Sequence, residues 1–233
     1  MMTPACVDVR FRTLGATGDR PPESDLSILS VAERRRAERF VQESDRRAYI
    51  AAHALLRRSL SRRAGFAPGD WRFVEVRHGK PFIAPDHALE RRLSFSLSHT
   101  RGCVACAVGF DVDVGVDVEC LTTVADELQI ARSYFDRSEP EALERCEPTE
   151  RRRRFVKLWT LKEAYLKALG VGLSGSLRDV RFTVDDLDNV ACHAGLDGWN
   201  FELHPVGAAH MLAVAVRAAA GVVMRIDVAR DDV

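Results

Sequence analysis

With 233 residues, 46% of them hydrophobic and 29% charged, the chain can bury a core as one larger domain or as two modest ones. No run approaches the roughly 20 apolar residues that span a bilayer, and the opening MMTPACVDVRFRTL has no apolar core of signal-peptide length, so we expect a cytoplasmic protein away from the membrane. The net charge of zero hides a division: residues 1–110 hold 19 Lys and Arg against 12 Asp and Glu, and residues 111–233 hold 15 against 22; most of these charges read as solvated surface, and the sharper reading is a cationic wall for phosphates and a carboxylate wall for a metal.

In chain order, SVAERRRAERF (Ser30 to Phe40) and SDRRAYIAAHALLRRSLSRRAG (Ser44 to Gly65) carry helical periodicity, the second with Tyr49, Ala52, Leu56 and Leu60 on its apolar side and Gly65 as its stop. WRFVEV (Trp71 to Val76) alternates as a strand, HGKP is turn-prone, and SFSLSHT and GCVACAVGF continue as strands from Ser94 to Phe110. Cys103 and Cys106 alone among six cysteines have metal-like spacing. A strand sends their sulfurs to opposite faces, so we expect buried reduced thiols. A helix from about residue 150 to 169 follows, ending near Gly170. Strands are then expected at Val180 to Val184, Trp199 to His204 and His210 to Arg217. Helix, strand, strand, strand thus occurs twice, and CVACAVG resembles MLAVAVR as SFSLSH resembles NFELHP, which points to an internal duplication.

The junction FDVDVGVDVE, Phe110 to Glu119, alternates so that Val116 and Val118 face one side while Asp117 and Glu119 face the other. Two such carboxylates repel unless they share a cation or solvent, and hard oxygen donors suit Mg2+ or Mn2+; Asp111 and Asp113 are expected in a loop. WTLKEAYLK, Trp159 to Lys167, raises a different point. The chain uses 30 arginines and only four lysines, Lys80, Lys157, Lys162 and Lys167, three of them around Glu163. On a helix Leu158, Leu161, Tyr165 and Ala168 form the apolar stripe, and Glu163 and Lys167 project together beside it. This is either a surface i,i+4 ion pair or, given the preference for lysine over arginine here, a compact ammonium that can act as a point charge on a phosphoryl oxygen.

Through GKP (Gly79 to Pro81), SFSLSHT (Ser94 to Thr100), GVDVE (Gly115 to Glu119) and FVKLWTLKEAYLKALGVGL (Phe155 to Leu173), the chain resembles the 4'-phosphopantetheinyl transferases of the larger, surfactin-type class. The resemblance implies an α+β fold of two pseudo-symmetric α/β halves, residues 1–112 for coenzyme A phosphate and adenosine and residues 113–233 for metal and catalysis, with the active site in the cleft between them. It implies transfer of the phosphopantetheine arm of coenzyme A to a serine of an apo acyl or peptidyl carrier protein, with release of adenosine 3',5'-bisphosphate. Asp117, Glu119 and Glu163 match the ligands of Mg2+ (or Mn2+), Glu163 also matches the base, and Asp117 and Lys167 join it as catalytic residues. Arg36, Arg47, Lys80, Ser98, His99, Lys162 and Lys167 match coenzyme-binding positions. The chain departs from the family's pattern at Ser96, often Asn, and at Glu33, often basic. The segment with Leu121, Val124 and Leu128 matches a carrier-docking region.

Two other classes fit parts of the sequence: a metal-dependent pyrophosphohydrolase of coenzyme A or nucleotides using the same carboxylates, and an RNA-binding module built on RRRAERF, RRSLSRR and Arg151 to Arg154. The neutral total charge and dispersed Trp and Tyr disfavour RNA, so no nucleic-acid partner is expected. A monomer is expected, since two fused halves supply a cleft that smaller relatives assemble between subunits.

Overall fold

A computed structural model describes residues 5–15, 20–75, 81–85, 87, 89–122, 126–171, 175–193, 195–219 and 222–231. In chain order the elements are β1 (Ala5–Thr13), α1 (Glu23–Leu26), α2 (Val31–Ala37), α3 (Glu43–Ala64), β2 (Phe73–Glu75), β3 (Pro81–Ile83), β4 (Leu93–Thr100), β5 (Cys103–Phe110), β6 (Asp113–Cys120), α4 (Glu127–Tyr134), α5 (Ser138–Glu144), α6 (Pro148–Leu169), β7 (Phe182–Val184), β8 (Val190–Cys192), β9 (Trp199–Val206), β10 (His210–Arg217) and β11 (Met224–Arg230). They form an α+β fold of two units, Met1–Val112 with Val222–Val233, and Asp113–Gly221.

Each unit follows one plan. In the first, β1 leads to the 22-residue α3, then to the ribbon β2–β3, then to β4 and β5, and the sheet runs β1-β5-β4. In the second, β6 leads to the 22-residue α6, the ribbon β7–β8, then β9 and β10, in the sheet order β6-β10-β9. The long helix covers one sheet face in both. Ala52, Leu56 and Leu60 of α3 pack in one core with Val104, Cys106 and Val108 of β5; Leu158, Leu161, Tyr165 and Ala168 of α6 pack with Met211, Ala213 and Ala215 of β10. Cys103 and Cys106 are free and buried, and desolvation pushes the Cys103 thiol up to about 12.

The helices start and stop where local chemistry directs. Ser30 caps α2 and closes a capping box with Glu33. α3 and α6 end on Gly65 (φ 77) and Gly170 (φ 71), left-handed positions that a side chain would strain. Pro148 opens α6, where its missing N–H has no intrahelical partner to lose.

The repeat reaches individual side chains. Eight residues before its closing glycine, α3 carries Arg57 and α6 carries Lys162, 1% and 0% exposed. Arg57 pairs with Glu33 (2.8 Å) and donates to the carbonyls of Pro68 and Trp71; Lys162 pairs with Glu139 (2.8 Å) and donates to the carbonyls of Leu177 and Val180. Both glutamates also receive the backbone N–H three residues earlier, from Ser30 and Asp136. Each unit therefore pins its long helix to the preceding short one through a buried ion pair.

The last strand departs from the expected division at 113–233. β11 pairs in parallel with β1, Ile226 opposite Val7 and Val228 opposite Val9, and Arg10 bridges to Asp227 (3.1 Å). Residues 222–233 therefore belong to the first unit, because the alternating MRIDVAR finds an unpaired edge at β1. Asp113 also differs from expectation: it begins β6, paired with Arg217 (2.6 Å), rather than lying in a loop.

Candidate active site

The second unit's sheet face against α6 is where the junction motif meets the late helix. Gly115, Asp117 and Glu119 lie opposite Ala215, Ala213 and Met211 of β10, whose side chains belong to the core that α6 covers. Gly115 sets the spacing. A Cβ there would stand 1.9 Å from the Ala164 carbonyl oxygen and 2.6 Å from the Ala168 nitrogen, so only glycine lets the α6 backbone lie on β6. Asp117, two residues on along the same face, then meets the flank of α6 that carries Glu163 and Lys167.

Lys167 Nζ donates to Asp117 Oδ1 at 2.7 Å, and Asp117 is 3% exposed. Glu163 is half-buried. Burial pushes its carboxyl above the ordinary glutamate value, the Asp117 charge adds to that, and Lys167 partly offsets both. That coupling places the carboxylates of Asp117 and Glu163 in one another's field. Glu119 lies on the same strand face, partly exposed. A basic carboxylate, a buried one and an ammonium thus converge from two elements, an arrangement suited to taking a proton and neutralising a phosphoryl group.

For a divalent cation the donor set fits: these are hard carboxylate oxygens, and the Asp117–Glu163 repulsion is the kind a shared cation relieves. Among the described residues no three His, Cys, Asp or Glu side chains are gathered into a ready cation site. The Lys167 ammonium stands at Asp117, 2.7 Å from Oδ1.

Lys162 corrects the expectation that it binds the coenzyme. A step of five residues turns a helical side chain by about 140° from Lys167, and Lys162 points into the core. There Glu139 and two carbonyls take its hydrogen bonds, and Phe135 lies 4.8 Å from the ammonium. Lys157 turns elsewhere again, to Asp188 at 2.5 Å.

In the first unit, His99 is exposed at the end of β4 and, with Ser44, Asp45, Thr100 and Arg101, lines a cavity of about 440 Å³ between the start of α3 and the β4–β5 turn. Ser98 is buried and faces the opposite side of β4, since Phe95 and Leu97, in phase with His99, pack in the core beneath α3. Arg36 and Arg47 are not in that lining. The Arg36 guanidinium lies over the Tyr49 ring at 5.9 Å, and Arg47 donates to the Gly15 carbonyl at 3.3 Å. Glu33, where a basic residue was the family's pattern, is the buried partner of Arg57. Lys80 and Val124 lie outside the described residues.

Sequence reasoning named GVDVE for its carboxylates and missed Gly115 as the spacer, although a glycine within a run of valines signals a close backbone approach. It also missed Glu139 and Asp188 as partners of the α6 lysines. Both stand far from the motifs.

The model of the 4'-phosphopantetheinyl transferase superfamily matches residues 113–215, and a model described as 4'-phosphopantetheinyl transferase, N-terminal, matches residues 22–109. The chain is 36% identical over 157 residues to the 4'-phosphopantetheinyl transferase HetI of Nostoc sp., covering 66% of each chain. A relative from Synechocystis sp. is 31% identical over 155 residues, 66% of this chain and 62% of that one. The 4'-phosphopantetheinyl transferase Sfp of Bacillus subtilis is 30% identical over 172 residues, 70% of this chain and 72% of that one. The match thus spans about two thirds or less of the first two relatives' own length. On the two family models and the Sfp match together, the chain belongs to the 4'-phosphopantetheinyl transferase superfamily.

Proposed function

We propose that the chain transfers the 4'-phosphopantetheine arm of coenzyme A to a serine of an apo acyl or peptidyl carrier protein in a Mg2+-dependent reaction, acting as a cytoplasmic monomer. The observation that carries this reading is the meeting of Glu163, Asp117 and Lys167 within the stretch that the superfamily model matches. Glu163, whose carboxyl is made more basic by burial and by Asp117, takes the proton of the serine hydroxyl. The serine oxygen bonds to the phosphorus of the pantetheine phosphate as the bridging P–O bond of the pyrophosphate breaks. The electron pair leaves with adenosine 3',5'-bisphosphate. Lys167 neutralises a non-bridging phosphate oxygen. Asp117, Glu119 and Glu163 would hold the divalent cation, which when bound withdraws charge from the pyrophosphate. His99 and the cavity beside it, with Arg36, Arg47, Lys80 and Ser98, are the first unit's candidates for the coenzyme's adenosine end. No covalent enzyme intermediate is formed.

Among the described residues no helix is long and apolar enough to cross a membrane. Chromatography of coenzyme A with the protein and Mg2+, with and without apo carrier, tests the reading. Adenosine 3',5'-bisphosphate is expected only when carrier is present. Equal release without carrier identifies a hydrolase and contradicts transfer.

A further inference from the structure

The three lysines of α6 each find a carboxylate, but in different surroundings. Lys157 and Lys162 are buried, at 5% and 0% exposure, and hold Asp188 and Glu139. The Lys167 side chain keeps 29% of its surface exposed while it reaches Asp117 at 2.7 Å, and the Asp117 side chain is 5% exposed. An ionised carboxylate this buried, with a second acid in its field, is stabilised by a positive charge beside it.

Resting on the transfer reading above, we propose that Lys167 is a built-in, exchangeable counter-ion for Asp117. Its ammonium neutralises Asp117 in the metal-free protein, withdraws when a divalent cation binds there, and is then directed to the phosphates of the coenzyme. This assigns a reason for lysine at position 167 in a chain with 30 arginines and four lysines. An ammonium on a flexible stem is a compact point charge that leaves one oxygen for another, whereas a guanidinium fork holds a carboxylate through two parallel bonds. It follows that the metal competes with Lys167. Metal affinity is lowered while the coenzyme is absent, by the share of molecules in which Lys167 occupies Asp117.

The test titrates Mn2+ against the full chain without coenzyme A, reading free Mn2+ by electron paramagnetic resonance. Lys167→Met is expected to bind Mn2+ about tenfold more tightly than the natural protein while binding coenzyme A more weakly by calorimetry. A structural cation does not produce effects of opposite sign. Affinity for Mn2+ that is equal or weaker in Lys167→Met overturns the proposal. A second measurement needs no variant: acylation of lysines by an amine-reactive ester, followed by peptide mass spectrometry, comparing the labelled fraction at Lys167 with and without Mn2+. Mn2+ is expected to raise that fraction severalfold while the buried Lys157 and Lys162 stay unlabelled; unchanged labelling while Mn2+ binds overturns the exchange. If the natural protein binds no Mn2+ even with coenzyme A, the metal-dependent transfer reading falls and takes the exchange with it. Tight binding with no effect at Lys167 removes only the exchange.

Discussion

Glu163 and Lys167 owe their place to a residue without a side chain. With a methyl group at position 115 set to lie 1.9 Å from the Ala164 carbonyl oxygen, Gly115→Ala forces α6 away from β6, because neither a Cβ nor a backbone carbonyl can rotate aside. We expect about 1–3 kcal/mol of lost stability and a larger loss of transfer, since Asp117 then separates from Glu163 and Lys167. Thermal unfolding and a transfer assay on the same sample check this, and a variant with the natural melting temperature contradicts the contact. Lys162 gives the opposite profile. Lys162→Met leaves Glu139 buried without its cation, at a cost of about 3–5 kcal/mol, yet coenzyme affinity of the folded protein should remain unchanged by calorimetry. Tenfold weaker binding would return Lys162 to the coenzyme site. Residue type and motif position identified the lysines as unusual, but the direction of each around α6 depends on partners such as Glu139 that lie outside the motifs.

At the level of elements, the two buried helix pins differ in electrostatics. Glu33 is held down to about 2: burial opposes this, and the hydrogen bond from His53 with the charge and hydrogen bonds of Arg57 outweighs it. Glu139 has one ammonium, and burial pushes its carboxyl upward and the Lys162 ammonium downward despite their attraction. Glu33 has two side-chain partners, His53 and then the Arg57 guanidinium, that together outweigh its desolvation, whereas the single Lys162 ammonium does not do so for Glu139. Glu33 therefore stabilises the fold above its unfolded value of 4.5, and that contribution is lost as pH falls toward about 2. It amounts to about 3 kcal/mol. Urea midpoints of the natural protein and Glu33→Gln should be well separated at neutral pH and converge as the solution is acidified toward that value; a separation independent of pH contradicts the assignment. α3 and α6 were legible because the apolar period and the closing glycine lie within each segment, and α2 because its helical periodicity is local. β1 and β11 were not, since each is a modest alternating run whose meaning comes from the other at the far end of the chain.

Across the whole molecule, the repeated plan was visible as paired strand motifs and is realised as the same sheet order in each unit. Sequence resemblance also grouped Asp117, Glu119 and Glu163 as one candidate site, but did not name the glycine that spaces β6 from α6. The charge division follows the repeat: counting back from the closing glycines, Arg58 and Arg62 of α3 stand where α6 has Glu163 and Lys167. The proposed carboxylate site, Asp117, Glu119 and Glu163, lies in the second unit. β11 is the exception to the repeat, and deleting residues 222–233 strips β1 of its parallel neighbour and Arg62 of its bond to Asp231 (3.1 Å). Hydrogen exchange should then quicken in β1 and β5 and the chain should become prone to edge pairing; unchanged protection of β1 would contradict the pairing.

The most direct measurement of the transfer itself is the intact mass of an apo carrier protein incubated with coenzyme A, Mg2+ and either the natural chain or Glu163→Gln. The carrier should gain one phosphopantetheine with the natural chain and none, or at least about a hundredfold more slowly, with Glu163→Gln of unchanged circular dichroism. A carrier modified at the same rate by both proteins, or several carriers left unmodified by the natural chain, would contradict the account.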